Sequence, residues 1–243
     1  VDANTVRIPL ASVTSLTLTG SVLADTFTLD FSDGDPLPGV VINVAGGLPN
    51  TSGDSLVVTG GTLAAGTDGT ISSLSLGSLA ANLGSTLKFD INTSTGLSDT
   101  INVAGALALG GNPTLVLNDL GGDQILAIGQ SFTLMTYGSP LAPTALFTFG
   151  GETLTDLSSF IYGNNLYRIH YYDLGGTAIT INTVNMPPTD IAVTPVAVDE
   201  NSAIGTTVGA ITGTDPNPGQ SATLTFTLVP GSGDMDNASF VID

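Results

Sequence analysis

Asp25-Thr26-Phe27-Thr28-Leu29, Asp54-Ser55-Leu56-Val57-Val58 and Asp99-Thr100-Ile101-Asn102-Val103 share one pattern: an aspartate, a hydroxyl residue, then a short strand-forming run. A Gly- or Ser-containing turn precedes each. An Asp at a turn, followed by Ser or Thr, can hydrogen-bond the backbone and hold a corner. Strand–turn units that cannot bury a face alone stack on one another. The offsets between the three copies are 29 and 45 residues. The repeat predicts a β-solenoid, and its irregular period leaves a β-sandwich open.

Working outward, the same period-2 alternation recurs along the chain. It appears at Leu16/Leu18, Phe27/Leu29/Phe31, Leu87/Phe89/Ile91, Ile101/Val103, Phe132/Leu134, Leu166 to Tyr172, Ile179/Ile181, Leu224/Phe226/Leu228 and Phe240/Ile242. Each run is short and bounded by Gly, Asn, Asp or Pro, which predicts many strands joined by turns. The one stretch that could be helical, Leu74 to Leu83, is interrupted by Gly77 and reads as strand–turn. The fold class predicted is all-β. At Val184-Asn185-Met186-Pro187-Pro188-Thr189-Asp190 two consecutive prolines cannot continue a ladder and mark a linker. The domains expected are a β-rich, elongated solenoid-like repeat over 1–184 and a second unit over 185–243.

Composition narrows the function classes. Among 243 residues there are 21 acids, 19 of them Asp, against 3 Lys and Arg, for a net charge of -18. Such a surface repels phosphate backbones and anionic lipid, so neither nucleic acid nor a membrane surface is expected as partner. It attracts cations instead, and hard oxygen donors on tight turns suit calcium; Asp also simply suits turns. Cys is absent, which removes disulfides and thiolate chemistry. No apolar run approaches the ~20 residues needed to span a bilayer. Val1-Asp2-Ala3-Asn4 does not resemble a secretory signal, so an exported protein would contribute this chain as an internal or mature segment.

Residues 186–243 resemble the first half of a bacterial cadherin-like repeat. The resemblance is carried by Pro187-Pro188-Thr189-Asp190-Ile191, Val198-Asp199-Glu200-Asn201, Gly205-Thr206-Thr207-Val208-Gly209, Thr214-Asp215-Pro216-Asn217, Thr225-Phe226-Thr227-Leu228 and Gly233-Asp234-Met235-Asp236-Asn237-Ala238-Ser239-Phe240-Val241-Ile242-Asp243. It implies part of an antiparallel β-sandwich of a kind that commonly binds calcium and mediates adhesion. It makes Glu200 the first ligand candidate, with Asp215 and Asn217 beside it, and adds Asp190, Asp234 and Asp236. Asn217 stands where that family often has a second Asp, one carboxylate fewer. About half of such a repeat is present, so either the sequence stops partway through a longer chain or a neighbouring molecule supplies strands; the first is favoured.

Residues 1–185 more loosely resemble the repetitive regions of autotransporter-like bacterial surface proteins. The residues are Ser98-Asp99-Thr100-Ile101-Asn102-Val103-Ala104-Gly105, Leu115-Val116-Leu117, Gly129-Gln130-Ser131-Phe132-Thr133-Leu134-Met135 and Leu166-Tyr167-Arg168-Ile169-His170-Tyr171-Tyr172-Asp173 with Gly175-Gly176. That resemblance implies β-helical stalks or binding surfaces.

Catalysis is not expected. His170, the only histidine, alternates on a strand with Leu166, Arg168 and Tyr172, and no Gly-x-Ser-x-Gly elbow accompanies it. The acidic pairs Asp33/Asp35 and Asp234/Asp236 lie in turn-like segments rather than across a cleft. Lys88, Arg168 and Arg7 are the whole basic supply for a lyase. Asp30, Asp33 and Asp35 read as a calcium loop or a β-turn, too short for an EF-hand. Phe160, Tyr162, Tyr167, Tyr171 and Tyr172 could stack on sugars, but cross-strand packing is the simpler role. Asn50, Asn92 and Asn237 fit the glycan-acceptor pattern.

The function expected is a structural or adhesive segment of a large extracellular, cell-surface protein, rigidified by calcium. Its partners would be other surface proteins, cell-surface glycans or copies of itself. A self-assembling filament or surface-layer subunit is the second reading, and a polysaccharide-active β-helix enzyme the third.

Overall fold

A computed structural model describes residues 15–19, 26–30, 41–45, 55–66, 69–139 and 146–242. The chain is all-β. Its residues divide into two compact units, one comprising residues up to 124 and 129–184, the other 125–128 and 185–243.

The first unit is organised by three sheets. Sheet I holds β2 (Thr26–Asp30), β4 (Ser55–Thr59), β7 (Ser78–Ala81) and β11 (Leu107–Leu109), all parallel. Sheet II stacks β5 (Thr62–Ala64), β8 (Thr86–Asn92), β12 (Thr114–Asp119) and β14 (Phe147–Phe149) in parallel; β15 (Glu152–Leu154) closes it antiparallel. Sheet III runs β6 (Ser73–Leu76), β10 (Thr100–Val103) and β13 (Ser131–Tyr137) in parallel, then β18 (Ala178–Thr183), β17 (Asn165–Tyr172) and β16 (Ser159–Tyr162) antiparallel. Short β9 (Leu97–Ser98) lies against β8. Apart from these sheets, β1 (Ser15–Thr19) pairs with β3 (Val41–Ala45) in parallel.

From β4 to β13 the chain visits sheets I, II and III in fixed rotation three times, with β9 inserted once. Alternation places every second side chain inside, and in-register parallel pairing then stacks like on like. Leu56, Leu79 and Leu107 form one column, Leu63, Leu87 and Leu115 a second, and Leu74, Ile101 and Met135 a third. Leu56, Leu87, Ile101 and Met135 are fully buried; each such side chain contributes about 1.5–3 kcal/mol of transfer free energy.

A glycine column lies just after the strands of sheet III. Gly105 N–H donates to Gly77 O at 2.7 Å and Gly138 N–H to Gly105 O at 3.0 Å. A Cβ on Gly105 would meet Gly77 O at 2.8 Å, and one on Gly138 would meet Ala104 O at 1.8 Å. Only glycine lets the backbones approach this closely.

Two expectations change, and the strand–turn reading of Leu74 to Leu83 is made more specific. The Asp-hydroxyl repeat is not one structural repeat: Thr26 and Ser55 are in-register partners in sheet I, but Thr100 lies in sheet III. The strand–turn at Leu74 to Leu83 is two strands, β6 and β7, broken at Gly77. The alternating runs Leu224/Phe226/Leu228 and Phe240/Ile242 join no ladder. Leu224 and Phe226 instead lie over Gly213, whose added Cβ would come within 2.6 Å of Leu224 Cδ1.

Aromatic residues fill the antiparallel end of the first unit. Tyr167, Ile169 and Tyr171 occupy the buried face of β17, with Arg168 and Tyr172 exposed and His170 half-buried on the other. Phe160 stacks on Tyr167 at 5.9 Å, and Phe149 meets Phe160 at 4.6 Å. The Tyr171 hydroxyl accepts from Phe147 N at 2.7 Å and donates to Leu154 O at 2.9 Å.

In the second unit β19 (Asp190–Pro195) pairs antiparallel with β20 (Gly209–Thr214). Every residue of β19 is exposed. Among the described residues no helix is long and apolar enough to cross a membrane.

Candidate functional site

The densest polar chemistry lies where β8 and β12 leave sheet II. Asp90 and Asp99 are each only 2% exposed. Asp90 Oδ2 accepts from Gly69 N, and its Oδ1 from Asn118 Nδ2, both at 2.7 Å. Asp99 Oδ1 accepts from Ser72 N at 2.7 Å, and its Oδ2 from Asp90 N at 2.9 Å. A buried carboxylate persists only when such donors replace water. These are ties between successive circuits of the chain.

Asp119 is the third tie. Its Oδ1 accepts from Thr93 N at 2.9 Å and Gly121 N at 2.8 Å, and its Oδ2 from Thr93 Oγ1 at 2.7 Å and from Asp123 N. Burial pushes this carboxyl up, but the bonds from Thr93, Gly121 and Asp123 together outweigh it and hold the group below the ordinary aspartate value. Asp119 stays ionised, the opposite of what a general acid requires.

Beside Asp119 is a surface depression of about 280 Å³, lined by Asn118, Asp119, Gly122, Asp123, Tyr162 and Gly163. The Tyr162 hydroxyl accepts from Asp119 N at 2.9 Å. Asp123 Oδ1 accepts from Asn164 N at 2.8 Å, and Asp123 O accepts from Asn164 Nδ2 at 3.0 Å. These bonds fix the segment after β12 to the turn between β16 and β17.

On the outer face of β17, His170 pairs across the ladder with Thr180. The Thr180 hydroxyl donates to Asp173 Oδ2 at 2.8 Å, and Leu174 N donates to Asp173 Oδ1 at 2.8 Å. The Thr180 bond, then the Leu174 bond and, more weakly, nearby His170 hold the Asp173 carboxyl below its usual range against a small opposing effect of burial. Among the expected aromatics, Phe160, Tyr167 and Tyr171 are buried packing residues, while Tyr172 is 41% exposed.

The cadherin-like candidates fall in several places. Asp215 and Asn217 are buried and adjacent: Asp215 Oδ1 accepts from Asn217 N at 2.8 Å, and Asn217 Oδ1 accepts from Met186 N at 2.7 Å. Asp190 begins β19 opposite Thr214, with its Oδ1 accepting from Ile191 N. Its neighbour in the ladder is thus the residue before Asp215. Glu200 is exposed in a separate turn. Asp234 Oδ2 accepts from Gly231 N at 2.8 Å, and the Asp236 carbonyl accepts from Ser239 N at 2.8 Å. Asp215 and Asn217 are therefore joined to each other; no described bond joins Asp190, Glu200, Asp234 or Asp236 to them. Among the described residues no group of three or more His, Cys, Asp or Glu side chains is arranged to hold a metal ion. One side-chain oxygen each of Asp190, Asp215 and Asn217 already accepts a backbone N–H.

Asp25, Asp54, Asp33, Asp35 and Asn50 lie outside the described residues, as does the side chain of Asp30. Asn92 Oδ1 accepts from Ser94 N and Thr95 N at 3.0 Å, shaping its own turn. Sequence reasoning passed over Asp90, Asp119 and the glycine column. The signal for the last was present: Gly77, Gly105 and Gly138 each follow a sheet III strand within two residues.

No protein-family model matches this chain, and comparison with curated proteins finds no match.

Proposed function

We infer that this chain is a structural, adhesive segment of a large bacterial extracellular or cell-surface protein, in which stacked β-circuits form a solenoid-like scaffold. The observation that carries the reading is the Asp99 carboxylate, buried and bonded to Ser72 N and Asp90 N. It ties neighbouring circuits rather than facing a substrate. The rotation through three sheets, the in-register leucine columns and the aromatic closure support a scaffold that resists deformation.

The residues 185–243 are read as part of a cadherin-like module. They carry seven acids and no Lys or Arg, a charge pattern that favours a cation between acidic turns. Calcium, where bound, would take Asp190, Asp215 and Asn217, with Glu200, Asp234 and Asp236 as further donors. It would screen repulsion and stiffen the segment around Asn185 to Asp190.

Electron microscopy of the purified chain, paired with a turnover screen on uronic-acid polymers, tests the reading. Discrete particles without turnover are expected. Polymer cleavage overturns it, and ordered fibres transfer the chain to the second reading, a self-assembling filament or surface-layer subunit.

A further inference from the structure

The geometry points to the depression between Asn118, Asp123 and Tyr162 as a binding site for one neutral pyranose ring of a glycan. Its volume of about 280 Å³ falls just under the ~300–1,000 Å³ of ordinary small-molecule pockets, so it suits a single ring rather than an extended ligand.

The hydrogen-bonding inventory selects the ligand class. Both oxygens of Asp119 are saturated by Thr93, Gly121 and Asp123, so this acid is scaffold and not ligand. Asp123 uses Oδ1 for Asn164 N, and no described donor reaches its Oδ2. Asn118 uses its amide nitrogen for Asp90, and no described donor reaches its Oδ1. Tyr162 accepts from Asp119 N through its oxygen, which keeps its own proton for an outside acceptor. Asn118, Asp123 and Tyr162, which line the opening, thus carry two acceptors and one hydroxyl donor that no described group uses, with Gly122 and Gly163 adding no side chain.

Two acceptors and a donor at one opening match the hydroxyls of a sugar. A metal ion is a poorer fit, because only one lining carboxylate has an oxygen that no described donor reaches. An anionic ligand meets two carboxylates, and an apolar one would strand three polar groups. Gly163 is part of the construction: it has φ +57°, and a Cβ there would come within 1.9 Å of Asp123 Oδ1.

The inference goes beyond the scaffold reading and does not depend on it. The test is a ¹H–¹⁵N NMR titration of the full chain with the methyl glycosides of glucose, galactose and mannose, alongside glucosamine and glucuronate. Saturable shifts confined to Gly122, Asp123, Tyr162 and Gly163 with at least one neutral glycoside are expected. Asp123→Asn, which keeps the side-chain shape, should weaken that binding about tenfold, the loss of one hydrogen bond to a charged acceptor. Tyr162→Phe provides a second variant, with its thermal melt recorded to separate binding from folding. No saturable shift with any neutral glycoside overturns the proposal. So does unchanged affinity in a folded Asp123→Asn chain, or a preference for glucosamine that disappears at high salt, which would mark simple charge attraction.

Discussion

The carboxylate of Asp99 accepts the backbone N–H of Asp90 at 2.9 Å, while Asp99 N–H donates to Asp90 O at 2.7 Å. Asp90 within β8 and Asp99 between β9 and β10 thus support each other through backbone groups rather than repelling through side chains. With Asp99 Oδ1 on Ser72 N, one side chain secures two segments of chain.

Asp99→Ala should destabilise the first unit by about 2–4 kcal/mol, because it leaves one buried and one part-buried N–H without acceptors. Asp99→Asn, which keeps one oxygen, should lose less. Urea unfolding followed by circular dichroism measures both; equal stability of Asp99→Ala and the parent would show that the tie is dispensable.

Acid should loosen the same corner. The folded Asp119 carboxyl lies below its usual value of 3.8. As pH falls, the unfolded chain therefore takes up the proton first. The stability from this group is fully present above about pH 4 and is lost as pH drops through the lower folded value. The slope of unfolding free energy against pH in that window should be shallower in Asp119→Asn.

Alkali acts through the aromatic end. Burial, the largest cause, raises the phenols of Tyr137, Tyr162, Tyr167 and Tyr171 above their usual 10.0. The unfolded chain releases these protons first, so their contribution is complete below pH ~10 and declines above it. Phenolate absorbance should lag in the folded protein and rise abruptly on unfolding. Tyr171→Phe, which leaves Phe147 N and Leu154 O unpaired, should cost about 1–3 kcal/mol.

Glycine just after the sheet III strands should resist replacement. Gly138→Ala places a methyl 1.8 Å from Ala104 O and forces the backbones apart. A loss of about 1–3 kcal/mol is expected from overpacking alone. Gly129→Ala is a different case: its site is open but its φ is +85°. A melt of Gly138→Ala matching the parent would remove the close-approach argument.

The cation reading makes its own demand on the second unit. Calcium should raise protection of amides over 186–217 in hydrogen exchange, and chelator should reverse it. Asp215→Asn should reduce the difference. Identical exchange with calcium and with chelator would leave residues 185–243 without a cation role.

The alternation Leu87/Phe89/Ile91 and the run Leu166 to Tyr172 were readable because each is local. Period-2 hydrophobicity assigns a side chain to a face, and all-β follows from many such runs. Leu224/Phe226/Leu228 shows the limit: it alternates equally well and joins no ladder, since a strand also needs a partner edge.

The sequence by itself therefore determined the class of structure, the inward face of most strands and the residue types able to hold a corner. Tertiary structure alone decided that Thr26 pairs with Ser55 while Thr100 goes to another sheet, and that Asp90, Asp99 and Asp119 become ties. The reason is distance along the chain: Leu56 meets Leu79, and Ile101 meets Met135, across 23 and 34 residues. Parallel pairing between remote segments is selected by whole columns of burial and by donors that reach a carboxylate only after the circuits have closed.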